Sequence, residues 1–297
     1  MISIIISSYN ETNYENFLIN IENTIGIKYE IIKIINPSLM GICAAYNLGS
    51  KKANFNYLCF VHDDIFFDDF NWGNKIIEHF ENNKDLGLLG VAGSSYKPLI
   101  PSGWSFPQDN RLIYMNLTQP KETYNSNVES NLIKFINKKT YVPVATIDGC
   151  FMVTLKSIYE ETKFDEQLFK KYHCYDIDFS IAIGKKYIVA VVNNINLIHY
   201  SKGKFDATWI DETIKLHKKW NNVLPIKTEK ISYMEIKQQE IGAFEFILRK
   251  SIEFNYPKIF LIKMIINLKT LKHIGLFNLI KCTLRIFYYS LKQLLTS

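Results

Sequence analysis

His62-Asp63-Asp64 follows directly on the apolar run Tyr57-Leu58-Cys59-Phe60-Val61. An apolar run of that length ending in polar residues reads as a strand. In an open α/β sheet ligands bind beyond the carboxyl ends of strands, so the two carboxylates and the imidazole are expected to face a crevice. Hard oxygen donors there suit Mg²⁺ or Mn²⁺, which would bridge to a nucleotide diphosphate and neutralise charge on a leaving group. Adjacent acids also cap turns, and it is their placement at the end of a buried strand that favours chemistry. A second acidic pair, Asp176 and Asp178, opens a segment of helical pattern, where free backbone N–H groups and the helix dipole favour an acid.

The elements that must position these residues are short apolar runs alternating with segments of helical period. Strands are predicted at Ile2 to Ser7, Glu30 to Ile35, Tyr57 to Val61 and Leu86 to Ala92, with intervals that suit right-handed crossover helices and hence a mostly parallel sheet. Thr12 or Asn13 is the expected cap of the first helix, which carries Phe17, Leu18 and Ile21, and Ser38 precedes a second that carries Ala44, Ala45 and Leu48. From Ser94 to about Lys139 the pattern gives way to Gly, Pro, Ser and Asn with isolated aromatics, which reads as a functional flap. Strands at Tyr141 to Thr146 and Cys150 to Leu155 are expected to join through the Asp148-Gly149 turn. A helix over 175–185, strands over 188–192 and 195–200, and a helix over 206–220 complete the body.

With 297 residues, 47% of them hydrophobic, the chain can bury a sizeable core. Its five cysteines are scattered and odd in number, with no CxxC pair, which argues against a disulfide framework or a thiolate zinc site and for a reducing compartment. The start, Met1-Ile2-Ser3-Ile4, lacks the basic region and cleavage site of a signal peptide, so a cytoplasmic location is expected. The net charge of +6 belongs to one end. From Asn255 onward there are seven basic residues and no acidic ones, which leaves 28 basic against 29 acidic in the remainder and gives no sign of a nucleic-acid surface. After Gly275, Asn278, Lys281, Arg285 and Lys292 recur at helical spacing opposite Phe277, Ile280, Leu284, Phe287, Leu291 and Leu294. Such a basic amphipathic helix is expected either on an anionic membrane surface or as a layer packed on the domain or another subunit. No window is long and apolar enough to span a bilayer.

The chain resembles the GT-A glycosyltransferases, in the family-2-like branch where Asp-x-Asp is replaced by His-Asp-Asp or His-Gln-Asp. The resemblance rests on Ile4-Ile5-Ile6-Ser7-Ser8-Tyr9-Asn10-Glu11, Ala44-Ala45-Tyr46-Asn47-Leu48-Gly49, Phe60-Val61-His62-Asp63-Asp64-Ile65 and Gly90-Val91-Ala92-Gly93-Ser94. It continues through Ile147-Asp148-Gly149-Cys150-Phe151-Met152, Phe164-Asp165-Glu166, His173-Cys174-Tyr175-Asp176-Ile177-Asp178-Phe179 and His199-Tyr200-Ser201-Lys202-Gly203, so it covers about the first 220 residues by motif order.

The resemblance implies an α/β GT-A domain over 1–225 with a helical extension over 226–297. Ser8, Tyr9, Asn10 and Glu11 would hold the nucleoside of the donor, Asn47 would support the donor pocket, and His62 and Asp63 would serve the diphosphate. Asp64, His62 and His199 would hold Mn²⁺ or Mg²⁺, with Lys202 on phosphate. The branch's usual Glu-Asp is here Tyr175-Asp176, which carries the role of catalytic base onto Asp176. Trp104, Asp148, Gly149 and His173 are expected on the acceptor side, although each also has an ordinary structural reading as loop anchor, turn residue or packed histidine. Lys218-Lys219-Trp220 is similar to the Gln-x-x-Arg-Trp signature of processive synthases but lacks the Gln and Arg, so processivity is not expected. The expected function is inverting transfer from a nucleoside diphosphate sugar, uridine-linked, to a glycan or lipid-linked saccharide of surface polysaccharide or lipooligosaccharide type. The enzyme would sit peripherally at the inner face of the membrane and could self-associate. The rivals are a sugar nucleotidyltransferase and a membrane-associated glycan-binding or scaffolding protein with a degenerate donor site.

Overall fold

Ile2, Ile4, Ile5 and Ile6 are all fully buried in the first strand, β1 (Ile2–Ser8), so both faces of that strand are covered. Ile2, Ile4 and Ile6 meet Phe17 and Ile21 of α1 (Glu11–Thr24). Ile5 points the other way, onto α2 (Ile42–Lys52), where Gly49 lets the helix close in; a Cβ at Gly49 would lie 2.3 Å from Ile5 Cγ2. The alternation along one strand therefore sets a helix on each face. In the computed structural model, residues 1–105, 110–120, 140–201, 203, 205–257, 259–260, 263, 272 and 274–296 are described.

The chain continues through β2 (Tyr29–Ile35), β3 (Tyr57–Val61), β4 (Ile65–Phe67), α3 (Trp72–Asn82) and β5 (Leu86–Gly90). Four short strands follow, β6 (Ala92–Ser94), β7 (Tyr96–Lys97), β8 (Ile113–Met115) and β9 (Leu117–Thr118). The remainder of the body comprises β10 (Tyr141–Pro143), β11 (Thr146–Ile147), β12 (Phe151–Leu155), α4 (Lys156–Thr162), α5 (Tyr175–Gly184), β13 (Ile188–Val192), β14 (Leu197–His199) and α6 (Ala207–Lys219). The main sheet has seven strands in the order β10-β13-β5-β12-β3-β1-β2. β12 is antiparallel to both β3 and β5, and β10 to β13; the other five strands point one way, the mostly parallel sheet expected.

Three local expectations are corrected. The side chain of Asn10 caps α1 by accepting from Asn13 N, so the helix begins ahead of the expected cap at Thr12 or Asn13. β11 and β12 do not form a hairpin through Asp148-Gly149: β11 pairs with β6 of a small sheet while β12 enters the main one, so the turn lies between sheets. The front of the irregular stretch is built into small sheets as β6 to β9, and the part of the flap at 106–109 and 121–139 lies outside the described residues.

Beyond residue 225, β15 (Ile226–Lys227) pairs with β7, and α7 (Tyr233–Glu253) begins with a capping box formed by Ser232 and Glu235. Ala243, Phe244 and Ile247 of α7 share a core with Trp209 and Ile210 of α6 and with Ile100. Glu240, fully buried in that helix, accepts from Tyr96 Oη (2.6 Å), Leu99 N (2.9 Å) and Ile100 N (3.0 Å). The buried Lys97 donates to Ser102 O, Ser102 Oγ and Gly103 O, and burial pushes its ammonium down to about 7. Helix α7 thus holds the base of the flap. Replacing Glu240 by Ala leaves three buried donors unpaired and is expected to cost on the order of 3 kcal/mol, measured as a lower urea midpoint.

The last helix, α8 (Leu276–Thr296), packs Leu279 and Cys282 into the α7 core, and Arg285 pairs with Glu245. Phe277, Ile280, Leu284, Phe287 and Leu291 remain 50–69% exposed in one stripe. Among the described residues no helix is long and apolar enough to cross a membrane.

Candidate active site

The carboxyl ends of β1 and β3, the turn before β12, the start of α5 and the end of β14 meet in one place. Because β12 runs against its neighbours, its entry turn lies beside the exit of β3, and His62 N donates to Cys150 O (3.1 Å). Asp63 turns toward β1 and accepts from Ser8 Oγ at 2.5 Å; burial pushes its carboxyl up, partly offset by that bond. Asp64 turns toward β14, with its Oδ1 3.2 Å from His199 Nε2 and 3.9 Å from His62 Nδ1. Burial alone would raise Asp64, but His199 and His62 outweigh it and hold the carboxyl below its ordinary range. The same pairing lifts the His199 imidazole against its own burial, while burial pushes His62 down.

Although Asp64 Oδ1 and His199 Nε2 are close, they are not aligned as a hydrogen bond, and both are buried atoms with no hydrogen-bond partner. Buried polar atoms are nearly always satisfied, so an adjacent orphaned oxygen and nitrogen mark a place for a shared ligand. His62, Asp64 and His199 offer donor atoms within 4.8 Å of one another, an arrangement that can hold a divalent cation. His62 is oriented from behind: its Nε2 lies 2.8 Å from Tyr175 Oη, and burial keeps that phenol protonated. Asp148, Cys150 and His199 form a second set within 4.8 Å, in which burial pushes the Cys150 thiol strongly up.

Asp176 sits on the other side of Tyr175. Its Oδ2 accepts from Gly149 N (3.1 Å) and its Oδ1 from Ile177 N (2.9 Å); burial, reinforced by the charge of Asp148, pushes the carboxyl up to about 7. Gly149 is required there because a Cβ would stand 2.1 Å from Tyr175 Oη. A carboxyl group held near 7 can take up a proton at neutral pH. Asp178, farther along the same helix, is held differently. It accepts from Lys219 Nζ (2.8 Å) and Trp220 Nε1 (2.7 Å) and fastens α5 to the end of α6. The Lys218-Lys219-Trp220 stretch therefore acts as a clamp on Asp178.

The other candidate residues divide. Tyr9 is 76% exposed beside Ser8, Asn10 caps α1, and Glu11 pairs with Lys33 at 2.6 Å. Asn47 is engaged inside the fold: its amide nitrogen donates to Phe164 O and Glu166 Oε2, and its oxygen accepts from Tyr159 Oη and Phe164 N, which uses its whole hydrogen-bonding capacity. His173 is held on α6, with its N donating to Glu212 and its Nε2 3.4 Å from Asp206 Oδ1. Trp104 is half-buried against both main cores. Lys202 lies outside the described residues. Tyr175 is the functional residue that motif reading passed over, since it stood out only as a departure from the usual acid.

The mostly parallel sheet with its flanking helices has the GT-A fold. A family model described as "Glycosyltransferase like family" matches residues 3–220, and the chain belongs to that family. No curated protein matches the sequence. Among solved structures, GalNAc-T7 with UDP, GalNAc and Mn²⁺ is similar at TM-score 0.51 and 12% identity, over 86% of this chain; the chain spans 54% of that one's length. S. aureus TarS 1–349 in complex with UDP-GlcNAc is similar at TM-score 0.51 and 11% identity, over 92% of this chain and 78% of that one. At these identities the likeness is one of fold.

Proposed function

We propose that this enzyme moves a sugar from a uridine diphosphate sugar to a saccharide hydroxyl with inversion, aided by a divalent cation. The observation that carries the reading is the orphaned Asp64–His199 pair, completed by His62, beside a buried Asp176 poised near neutrality. The UDP-sugars of GalNAc-T7 and TarS support the donor class. Two imidazoles and one carboxylate suit Mn²⁺ better than Mg²⁺, which prefers all-oxygen sites. Bound there, the ion would supply charge neutralisation to the departing diphosphate. Tyr175 holds the ring of His62 in place, and Ser8 holds Asp63 against the end of β1, where Tyr9 and Asn10 lie open for the nucleoside. Asp176 takes the proton of the acceptor hydroxyl as that oxygen bonds to the anomeric carbon and the bond to diphosphate breaks on the opposite face.

Hydrolysis of a panel of nucleotide sugars by the purified protein, with Mn²⁺, Mg²⁺ or chelator, tests this. Slow, cation-dependent release of UDP from one donor is expected; no binding and no turnover of any donor would leave a glycan-binding or scaffolding protein instead.

The acceptor is expected at the inner face of the membrane, of surface-polysaccharide or lipooligosaccharide type, and α8 supports this placement. Its exposed apolar stripe beside Lys281, in a tail without acids, fits an anionic bilayer surface. The protein is expected to sediment with phosphatidylglycerol vesicles and not with phosphatidylcholine ones, and to lose this on deletion of residues 276–297. Vesicle-independent dimers lost with the same deletion would assign the stripe to a second copy.

A further inference from the structure

Helix α8 presents Leu279 and Cys282 to α7 and the stripe from Phe277 to Leu291 to the outside. Lys281, Arg285 and Tyr289, spaced by four, form a row along the helix between those two sides. Where this row meets Glu245 and Arg249 of α7, a cavity of about 220 Å³ opens over the buried Leu248. Its walls are Glu245, Arg249, Arg285 and Tyr289. Resting on the membrane placement of α8 proposed above, we infer that this cavity is a headgroup site that takes the phosphate of an anionic phospholipid.

The lining selects a phosphate group. Arg285 pairs with Glu245, and Arg249 is exposed with no partner among the described residues. Two guanidinium groups against one carboxylate leave the cavity with one net positive charge. The planar fork of an arginine matches two phosphate oxygens at once, and the phenol of Tyr289 adds a further donor at the rim. Because the one carboxylate is already paired, the ammonium of a choline headgroup finds no free counter-charge here. A nucleotide sugar is too large, since pockets for ligands of that size run to about 300–1,000 Å³. Position separates a lipid from dissolved phosphate. One net charge at a solvent-open site holds a free anion weakly, because water and salt screen it. Once the apolar stripe lies in the acyl boundary, the row beside it stands at the depth of the headgroups. Binding of a headgroup phosphate then becomes a local event at high effective concentration.

The test is cosedimentation of the intact protein with phosphatidylglycerol and with phosphatidylcholine vesicles, for wild type, Arg249→Gln and Lys281→Gln. Each replacement removes one exposed positive charge, but Lys281 lies 4.6 Å from the centre of the Phe277 ring and does not line the cavity. General attraction to a charged surface predicts equal losses of about fivefold for the two variants. A headgroup site predicts a loss of about thirtyfold for Arg249→Gln against about fivefold for Lys281→Gln, on phosphatidylglycerol, with melting temperature and donor hydrolysis as in wild type. Equal losses overturn the inference and leave the membrane placement standing, whereas failure of the wild type to bind phosphatidylglycerol overturns both. Calorimetric titration with inorganic phosphate closes the remaining case. Saturation at micromolar phosphate that Arg249→Gln abolishes would give the cavity to the dissolved ion and overturn its assignment to lipid.

Discussion

An Asp176→Asn enzyme is expected to transfer sugar about 10²–10⁴-fold more slowly than wild type while binding donor within a few-fold, the signature of a lost general base. Stopped assays of transfer beside donor titration check it; transfer at wild-type rates would remove Asp176 from the mechanism. The wild-type profile carries a second mark. Burial and Asp148 push the carboxyl up to about 7, so below that pH it is protonated and cannot accept. Accordingly kcat/KM should fall on the acid side with a limb near 7 that the variant lacks. Stability has the opposite sense. The folded-state value lies above the unfolded one, so the folded protein holds a proton that the unfolded chain releases. Stability from this group is complete below about pH 4 and declines as pH rises through about 7. Asn is uncharged at every pH but can accept from only one of Gly149 N and Ile177 N, so the variant should lose this pH dependence of the melting temperature and not gain stability.

Asp64→Ala is the other large effect. The carboxylate is the one anionic member of the set formed with His62 and His199. Without it two imidazoles remain, and Mn²⁺ affinity should fall by more than the roughly 10–100-fold typical of losing an outer contact to a metal ligand. Electron paramagnetic resonance titration of Mn²⁺ reads this directly. Chelation should bring wild-type donor turnover to the level of the variant, with Mn²⁺ restoring only the wild type. A variant that titrates Mn²⁺ like wild type would place the cation elsewhere.

The strands were legible because burial on both faces leaves an unbroken apolar run: Tyr57–Val61 and Ile188–Val192 stand where the pattern put them. The acids at the end of β3 were legible for the same reason, since polar groups directly after a buried run have nowhere to go but a crevice. The order of motifs carried the family, and with it the glycosyltransferase class against a nucleotidyltransferase. What the sequence does not carry is the direction a side chain takes from its helix. Asn47 reads as a contact, yet its amide turns inward to Phe164 and Tyr159. Tyr175 reads as a lost acid, and only its 2.8 Å approach to His62 gives it a role. Periodicity is likewise blind to pairing partners separated by more than a hundred residues, so the hold of Glu240 on Leu99 and Ile100 could not be foreseen from a helix 140 residues later.

The reversed strand at the centre of the sheet bears on how the protein is made. β1, β2 and β3 can pair as soon as they leave the ribosome, but both neighbours of β5 come later, β12 and then β13. The apolar strand Leu86–Gly90 must therefore wait for about 60 residues of synthesis, roughly 3–12 s at bacterial and eukaryotic elongation rates, with its edges unpaired. Nascent chains halted between Gly90 and Leu155 are expected to be the ones that chaperones hold and proteases find. Because the turn at Asp148-Gly149 leads into β12, the protein gains the turn that will hold Asp176 in the same step in which β5 gains its first partner.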